Sequence, residues 1–322
     1  EWIFLINVPI GIFIVIAGHY VLGAVEGQRV PLDIWGAILA TLGSTALVLG
    51  LTSAGKGASN PVFIVAMLVG IASLGAFFIT QKHTENGVLP LSLFTRRDRV
   101  FTFIAIFLLG AIMTTVAVFV ALYVQTILKY TTLRAGLAFI PFAFALALGA
   151  ATASKISMKW APRWIILAGC IFMVIGFGWG TAISEESTFW ADIFPPTLII
   201  GYGVGLVSIA LTLSAVAGVK PIDVGPLTAI SLVAQTLGGP IGLAFAGALA
   251  QSYTRHHGGA DIPVTEMNSV QLHALGEGYL LTLFVCLGLA VVMGILSALF
   301  IRFTVPDVVE GQKANEAAND LP

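Results

Sequence analysis

The chain has 322 residues, of which 58% are hydrophobic and only 10% charged, with 15 Lys and Arg against 16 Asp and Glu. A soluble domain carries about 25% charge, so this composition excludes an ordinary water-soluble globule. The near-neutral balance, with no basic stretch interleaved with aromatics, gives no sign of a nucleic-acid partner.

Cutting the chain at every Asp, Glu, Lys and Arg leaves nine long charge-free runs: 2–25, 34–55, 57–81, 100–128, 135–154, 164–184, 193–219, 224–254 and 278–301. About 20 helical residues, each rising about 1.5 Å, cross a hydrocarbon core of about 30 Å. Each run meets that length, so the sequence predicts nine transmembrane helices and an all-α integral membrane protein. The runs are apolar on every face, which excludes the alternating pattern of a membrane β-barrel.

The first run has no charged region before it and no small-residue cleavage site after it, so it does not read as a signal peptide. The fourth run carries Tyr123 and Gln125 near its far end, where Gln125 suits an extracellular gate. The fifth contains Pro141, flanked by Phe139, Phe142 and Phe144. Proline removes a backbone donor, so Pro141 is expected to free the Leu137 carbonyl and bend that helix. The turn that follows holds Lys155, Lys159 and Arg163.

In the seventh run, Gly201, Gly203 and Gly205 flank Tyr202. In the eighth, Gln235 lies near the middle, one turn after Ser231, and Gly238, Gly239, Pro240 and Gly242 follow. An intramembrane polar group needs a partner or water. Gln235 therefore reads either as a cavity contact or as an interhelical hydrogen bond. Gly238, Gly242, Ala246 and Ala250 recur every four positions, a stripe that permits close helix contact, whether static or sliding. Cys170 and Cys286 fall inside apolar runs and read as packing residues. Trp35, Trp160, Trp164 and Trp190 lie near run ends, as interfacial aromatics do. The connection from Arg255 to Glu277 holds His256, His257, His273, Asp261 and Glu266 without metal-ligand spacing, so it reads as a solvated loop.

The polar connections alternate between two sides. One side holds Arg29, Lys82, Arg96, Arg97, Arg99, Lys155, Lys159, Arg163, Lys220, Arg302 and Lys313; the other holds Lys56, Lys129, Arg134 and Arg255. The positive-inside rule assigns the first side to the cytoplasm, and with it a polar tail expected to be disordered. An odd number of helices then places residue 1 outside, and the simplest account is a fragment preceded by further helices.

Several stretches resemble one family. Trp2-Ile3-Phe4-Leu5-Ile6-Asn7-Val8-Pro9-Ile10-Gly11 is similar to the start of the sixth helix of the fourteen-helix drug:proton antiporter family of the major facilitator superfamily. Leu89-Pro90-Leu91-Ser92-Leu93-Phe94, Tyr123-Val124-Gln125, Arg134-Ala135-Gly136-Leu137 with Pro141, and Gln235-Thr236-Leu237-Gly238-Gly239-Pro240-Ile241-Gly242 follow that family's pattern in order. The resemblance implies helices six to fourteen, with five missing. It divides the chain into the last helix of an N-terminal bundle (1–25), two extra linker helices (26–82), a cytoplasmic connection (83–99), a C-terminal six-helix bundle (100–302) and the disordered tail (303–322). It also implies that the fourth and seventh runs line a cavity, the fifth and eighth rock against the other bundle, and the sixth and ninth face lipid.

The implied activity is proton-coupled efflux of lipophilic or cationic small molecules by alternating access. Tyr123, Gln125, Tyr202 and Gln235 would line the substrate cavity, and Pro141, Gly238, Gly239, Pro240 and Gly242 would form gate or packing elements. The turn from Lys155 to Arg163 resembles the superfamily's charged loop but has Met158 and Ala161 where an acid and a glycine are common. Its Lys159 and Arg163 read either as topology anchors or as contacts to a neighbouring helix end. The expected partners are a small-molecule substrate, protons, the lipid bilayer and the missing N-terminal helices, with no cofactor beyond the proton gradient.

No phosphate loop or nucleophile elbow is present, so the chain does not read as an enzyme. An exporter of lipid precursors or amino acids is the alternative within transport. A polytopic enzyme acting on lipids would need an interfacial acid cluster, whereas Asp33, Asp98, Asp192 and Asp223 are spread over four connections. The nine runs contain no Asp or Glu, and their one histidine, His19, belongs to a peripheral helix, so the coupling acid is expected in the missing helices.

Overall fold

The computed structural model describes residues 7–21, 33–53, 60–83, 96–182, 189–259 and 266–319. Every regular element among them is helical: α1 (Asn7–Val21), α2 (Ile34–Ser53), α3 (Pro61–His83), α4 (Arg97–Thr126), a short α5 (Thr132–Ala138), α6 (Ile140–Ile156), α7 (Pro162–Gly180), α8 (Phe194–Ala215), α9 (Pro221–His256), α10 (Ser269–Phe300) and α11 (Val305–Asn319). A five-residue π-helical turn, Phe189–Ile193, leads into α8. Trp2–Ile6, Arg29, Lys56, the Leu89–Phe94 signature and Asp261 lie outside the described residues.

Seven of these segments are long and apolar enough to cross a membrane, the α5–α6 segment counting as one; a shorter apolar helix covers Ile34–Gly50. The chain is a multi-pass membrane protein. Its helix starts follow from local chemistry. Proline occupies the first turn of α7 and α9, where its missing N–H costs nothing. Asn268 and Gln271 form a reciprocal capping box at α10. Thr131 accepts a hydrogen bond from the Arg134 amide at α5.

Pro141 departs from expectation. It does not bend a continuous helix, because α5 ends at Ala138 and Pro141 falls in the first turn of α6. The Leu137 carbonyl accepts from the Phe139 amide, so the break closes on itself. Pro240, by contrast, does sit inside its helix, together with Pro226.

Helices α2 and α3 form a hairpin. Gly43 faces Leu74, Gly50 faces Met67 and Gly70 faces Leu47, so each helix approaches the other over bare backbone. At one end Asp33 accepts from the Gly36 amide at 2.8 Å, and its other carboxylate oxygen accepts from the Gln81 side chain.

The remaining six long helices form one body. Helix α8 packs most closely on α6 and α7, α4 on α9 and α10, and α10 on α7; a lesser contact joins α4 to α8. The order across one side is α6, α8, α4, α9, with α7 and α10 behind. A shared core runs between them, built on Leu109, Ile112, Ile166, Met173, Phe177, Val207, Leu211 and Met293.

The tail expected to be disordered instead forms α11, which docks on α8 and α9. Val308 is fully buried, and Phe303 and Ala314 nearly so. Asp307 organises the helix start by accepting from the Thr304 amide at 2.8 Å and the Thr304 hydroxyl at 2.7 Å. Val308, Gly311 and Ala314, three apart, put one stripe against the bundle, while Glu310, Lys313 and Glu316 are exposed.

Thr304 and the nearby Arg96 hold the Asp307 carboxyl below the usual carboxylate range. A carboxyl depressed in the folded state stabilises it above the unfolded value and loses that contribution as pH falls through the folded value. Docking of α11 should therefore weaken on acidification below about pH 4. Asp307→Asn should remove this dependence, which can be followed by amide exchange across Val216–Lys220.

Candidate functional site

Glycine makes the close contacts of the α4·α9 and α6·α8 pairs, as Gly169 and Gly203 do between α7 and α8. In α4 and α9, a side chain at Gly110 would meet the Gln235 carbonyl oxygen, and one at Gly238 would meet the Phe107 carbonyl oxygen. A Cβ at Gly242 would lie 2.5 Å from that of Ala111, and one at Gly239 would lie 2.6 Å from Thr114 Oγ1. In α6 and α8, Gly149 faces the Tyr202 carbonyl, Gly201 faces Phe142 and Gly205 faces Leu146. Each pair brings backbone against backbone, which larger residues would forbid.

The Gly238–Gly242 stripe accordingly packs on α4 within the six-helix body. The resemblance had the eighth run rock against the other bundle, with Gly239 and Gly242 as gate or packing elements. The stripe continues through Ala246 and Ala250, both buried in a cluster with Phe119 and flanked by Tyr279. Pro240 lies among these residues and is half-buried.

The four residues proposed for a cavity do not converge. Tyr123 is 7% exposed and lies in a crevice with Phe119, Val124, Tyr279 and Leu283, between α4 and the rear helix α10. The Tyr202 ring meets Phe172 of α7 edge-on, at 5.2 Å and 80°. The Tyr123 ring thus fills a crevice towards α10, and the Tyr202 ring turns to α7, where an aromatic partner awaits it. Gln125 is exposed at the end of α4, and Gln235 is half-buried on the α4-facing edge of α9. Ser231, one turn earlier on that edge, donates to the Leu227 carbonyl at 2.8 Å.

Two polar residues of α8 were not singled out by the sequence. Ser208 and Thr212 follow Gly201 and Gly205 by seven residues, about two turns, and so continue the same helix edge. Ser208 is half-buried and Thr212 exposed, with the Thr212 hydroxyl donating to the Ser208 carbonyl at 2.8 Å. The seven-residue spacing was the available signal, but it becomes informative only once Gly201 and Gly205 are known to face α6.

At the basic end, Lys155 and Lys159 are exposed, and the Arg163 guanidinium lies 5.1 Å above the Trp164 ring. A further cation, Arg99, is buried at the start of α4, only 3% exposed, and donates from Nη2 to the Ala217 carbonyl at 3.1 Å. Asp223 and Asp98 supply opposite charge nearby and Arg96 like charge. Counting charges gave Arg99 only a topological role. At the other end, Tyr253 donates to Glu277 at 3.0 Å, and His273 lies 3.4 Å from the same carboxylate. A groove of about 520 Å³ between α2 and α3 is lined only by residues of that hairpin, Leu42, Leu49 and Val65 among them, with Thr45 as its one polar lining residue.

No family model matches the chain. It is 38% identical to the uncharacterized MFS-type transporter EfpA of Mycobacterium tuberculosis, over 98% of this chain and 60% of that protein. It is 31% identical to the cephamycin export protein CmcT of Amycolatopsis lactamdurans, over 75% of this chain and 51% of that protein. The multidrug export protein EmrB of Haemophilus influenzae is 28% identical over 75% of this chain and 48% of its own length. The chain thus spans about half to three-fifths of the curated relatives it matches. Among solved structures, a bacterial homologue of the human lysosomal transporter Spinster, inward-facing and occupied, superposes with a TM-score of 0.55 at 16% identity, covering 85% of this chain and 67% of that one. This likeness concerns the fold.

Proposed function

Because this chain belongs to the major facilitator superfamily, we propose that it forms part of a secondary exporter carrying lipophilic or cationic small molecules across the cell membrane in exchange for protons. The observation that carries this reading is the six-helix body. Its α4·α9 and α8·α6 pairs are tight enough to move as units, and α7 and α10 brace them from behind. A body of this kind serves alternating access when it rocks against a second bundle around a site near mid-membrane. That second bundle would come from helices preceding α1, and α2 and α3 would be a linker hairpin.

In this reading the basic end, with Arg96–Arg99, Lys155, Lys159 and α11, faces the cytoplasm, in accord with the charge asymmetry. Ser208, Thr212 and Gln235 supply the polar groups nearest the substrate path. The charge-free runs carry no carboxylate, so the proton-coupling acid belongs to the second bundle.

Reconstitution tests the reading. The full-length protein in liposomes should move a lipophilic cationic dye under an imposed pH gradient, and residues 1–322 alone should not. Gradient-driven transport by the 322-residue chain would refute the assignment of the coupling acid. Arg97→Cys and Ser269→Cys, both exposed in the structure, should label from opposite faces of intact cells. Labelling of both from one face would refute the topology.

A further inference from the structure

Resting on the two-bundle reading above, we propose that α11 is a strap that locks the basic ends of α4, α8 and α9 into one rigid end, and that transport requires it docked. The strap grips the turn Val216–Lys220 between α8 and α9. The Gly218 amide donates to the Asp307 carbonyl at 2.9 Å, and Gly218 adopts a left-handed φ of 62° that presents this amide to α11. One turn further along α11, Gly311 lies so close that a side chain would run into the Val216 carbonyl oxygen. Val308 and Ala314 bury the rest of this face.

The strap also reaches α4. Arg96, immediately before that helix, places its guanidinium 5.1 Å above the ring of Phe303, which is 1% exposed. Arg99 also holds the Ala217 carbonyl, so the turn is gripped both by a buried cation of α4 and by the backbone of α11.

The clamp adds a link at the basic end of the body. The α6·α8 and α4·α9 pairs are each tight and are joined chiefly through α7 and α10, whereas α8 meets α4 and α9 directly only through lesser contacts. Helix α9 is weakened by two internal prolines. A body that rocks against a partner transmits motion from one pair to the other through α7 and α10, and at this end α11 ties the α8–α9 turn in as well.

The test uses the full-length protein in liposomes with three variants. Deletion of everything after Thr304 removes the strap. Gly311→Leu keeps the chain length but forces α11 off the Val216 carbonyl. Lys313→Ala alters the exposed side of α11 and serves as control. Hydrogen exchange at Gly218 reads docking, and dye transport normalised to protein abundance reads function. Both strap variants should speed exchange at Gly218 about tenfold or more, as expected when a local unit opens, and slow transport by a similar factor. Lys313→Ala should change neither. Faster exchange with an unchanged transport rate overturns the proposal, and so does unchanged exchange in the truncated protein. If the truncated protein fails to accumulate, Gly311→Leu decides on the same two readings. An unaltered protein that moves no dye overturns the exporter reading and the strap's role with it, whereas transport indifferent to strap release overturns the strap alone.

Discussion

Gly238→Leu is expected to separate α9 from α4 and abolish transport. The site has no room, because even a methyl at Gly238 would fall well inside contact distance of the Phe107 carbonyl oxygen, and a backbone carbonyl cannot rotate aside as a flexible side chain can. Overpacking of a well-filled interior costs about 1–3 kcal/mol, and a clash with backbone falls at the upper end of that range. The Ala111 neighbourhood of Gly242 and the Gln235 backbone against Gly110 would shift together, since all lie on one helix edge. Thermal unfolding in detergent, followed by tryptophan fluorescence, should show a lowered midpoint beside the lost transport. Substituting Gly288, which has open space around its Cβ position, should leave both unchanged. An unaltered midpoint for Gly238→Leu would mean that α9 does not pack on α4 along this edge.

Arg99→Met is expected to destabilise the same body from its basic end. Methionine keeps much of the volume of the arginine stem but removes the donor to the Ala217 carbonyl and one positive charge near Asp223 and Asp98, of which Asp98 keeps its ion pair with Arg96. Loss of a hydrogen bond from a charged group costs about 1.5–3 kcal/mol, and the buried position of Arg99 limits rescue by water. Arg97→Met, one turn of charge lost from an exposed site, should cost little. The pair can be compared by the same unfolding measurement. Equal effects would assign Arg99 the purely topological role that its position among Arg96, Arg97 and Arg99 suggests.

The transmembrane character of this protein was legible in its sequence. Hydrocarbon penalises each charge locally, whatever the chain does elsewhere, so charge-free runs mark the spans and Lys and Arg mark the ends. The run boundaries at 100–128, 164–184 and 193–219 lie close to α4, α7 and α8 for this reason. The small-residue stripe of α9 was also legible as a close-contact surface, because an absent side chain permits approach from any partner.

The tertiary structure alone decided what each surface meets. A membrane helix is apolar all round, so its sequence carries little of the amphipathic signal that tells a soluble helix which face to bury. Gly238 could therefore have faced a second bundle or its own, and only the packing of α9 on α4 settles it. Tyr123 and Tyr202 looked equally suited to a cavity, yet the Tyr123 ring fills a crevice towards α10 and the Tyr202 ring packs on Phe172 of α7. The tail reads as polar and solvated because its apolar residues are few. It folds as α11 because the Val216–Lys220 turn, distant in sequence, offers a backbone surface shaped to receive Val308, Gly311 and Ala314.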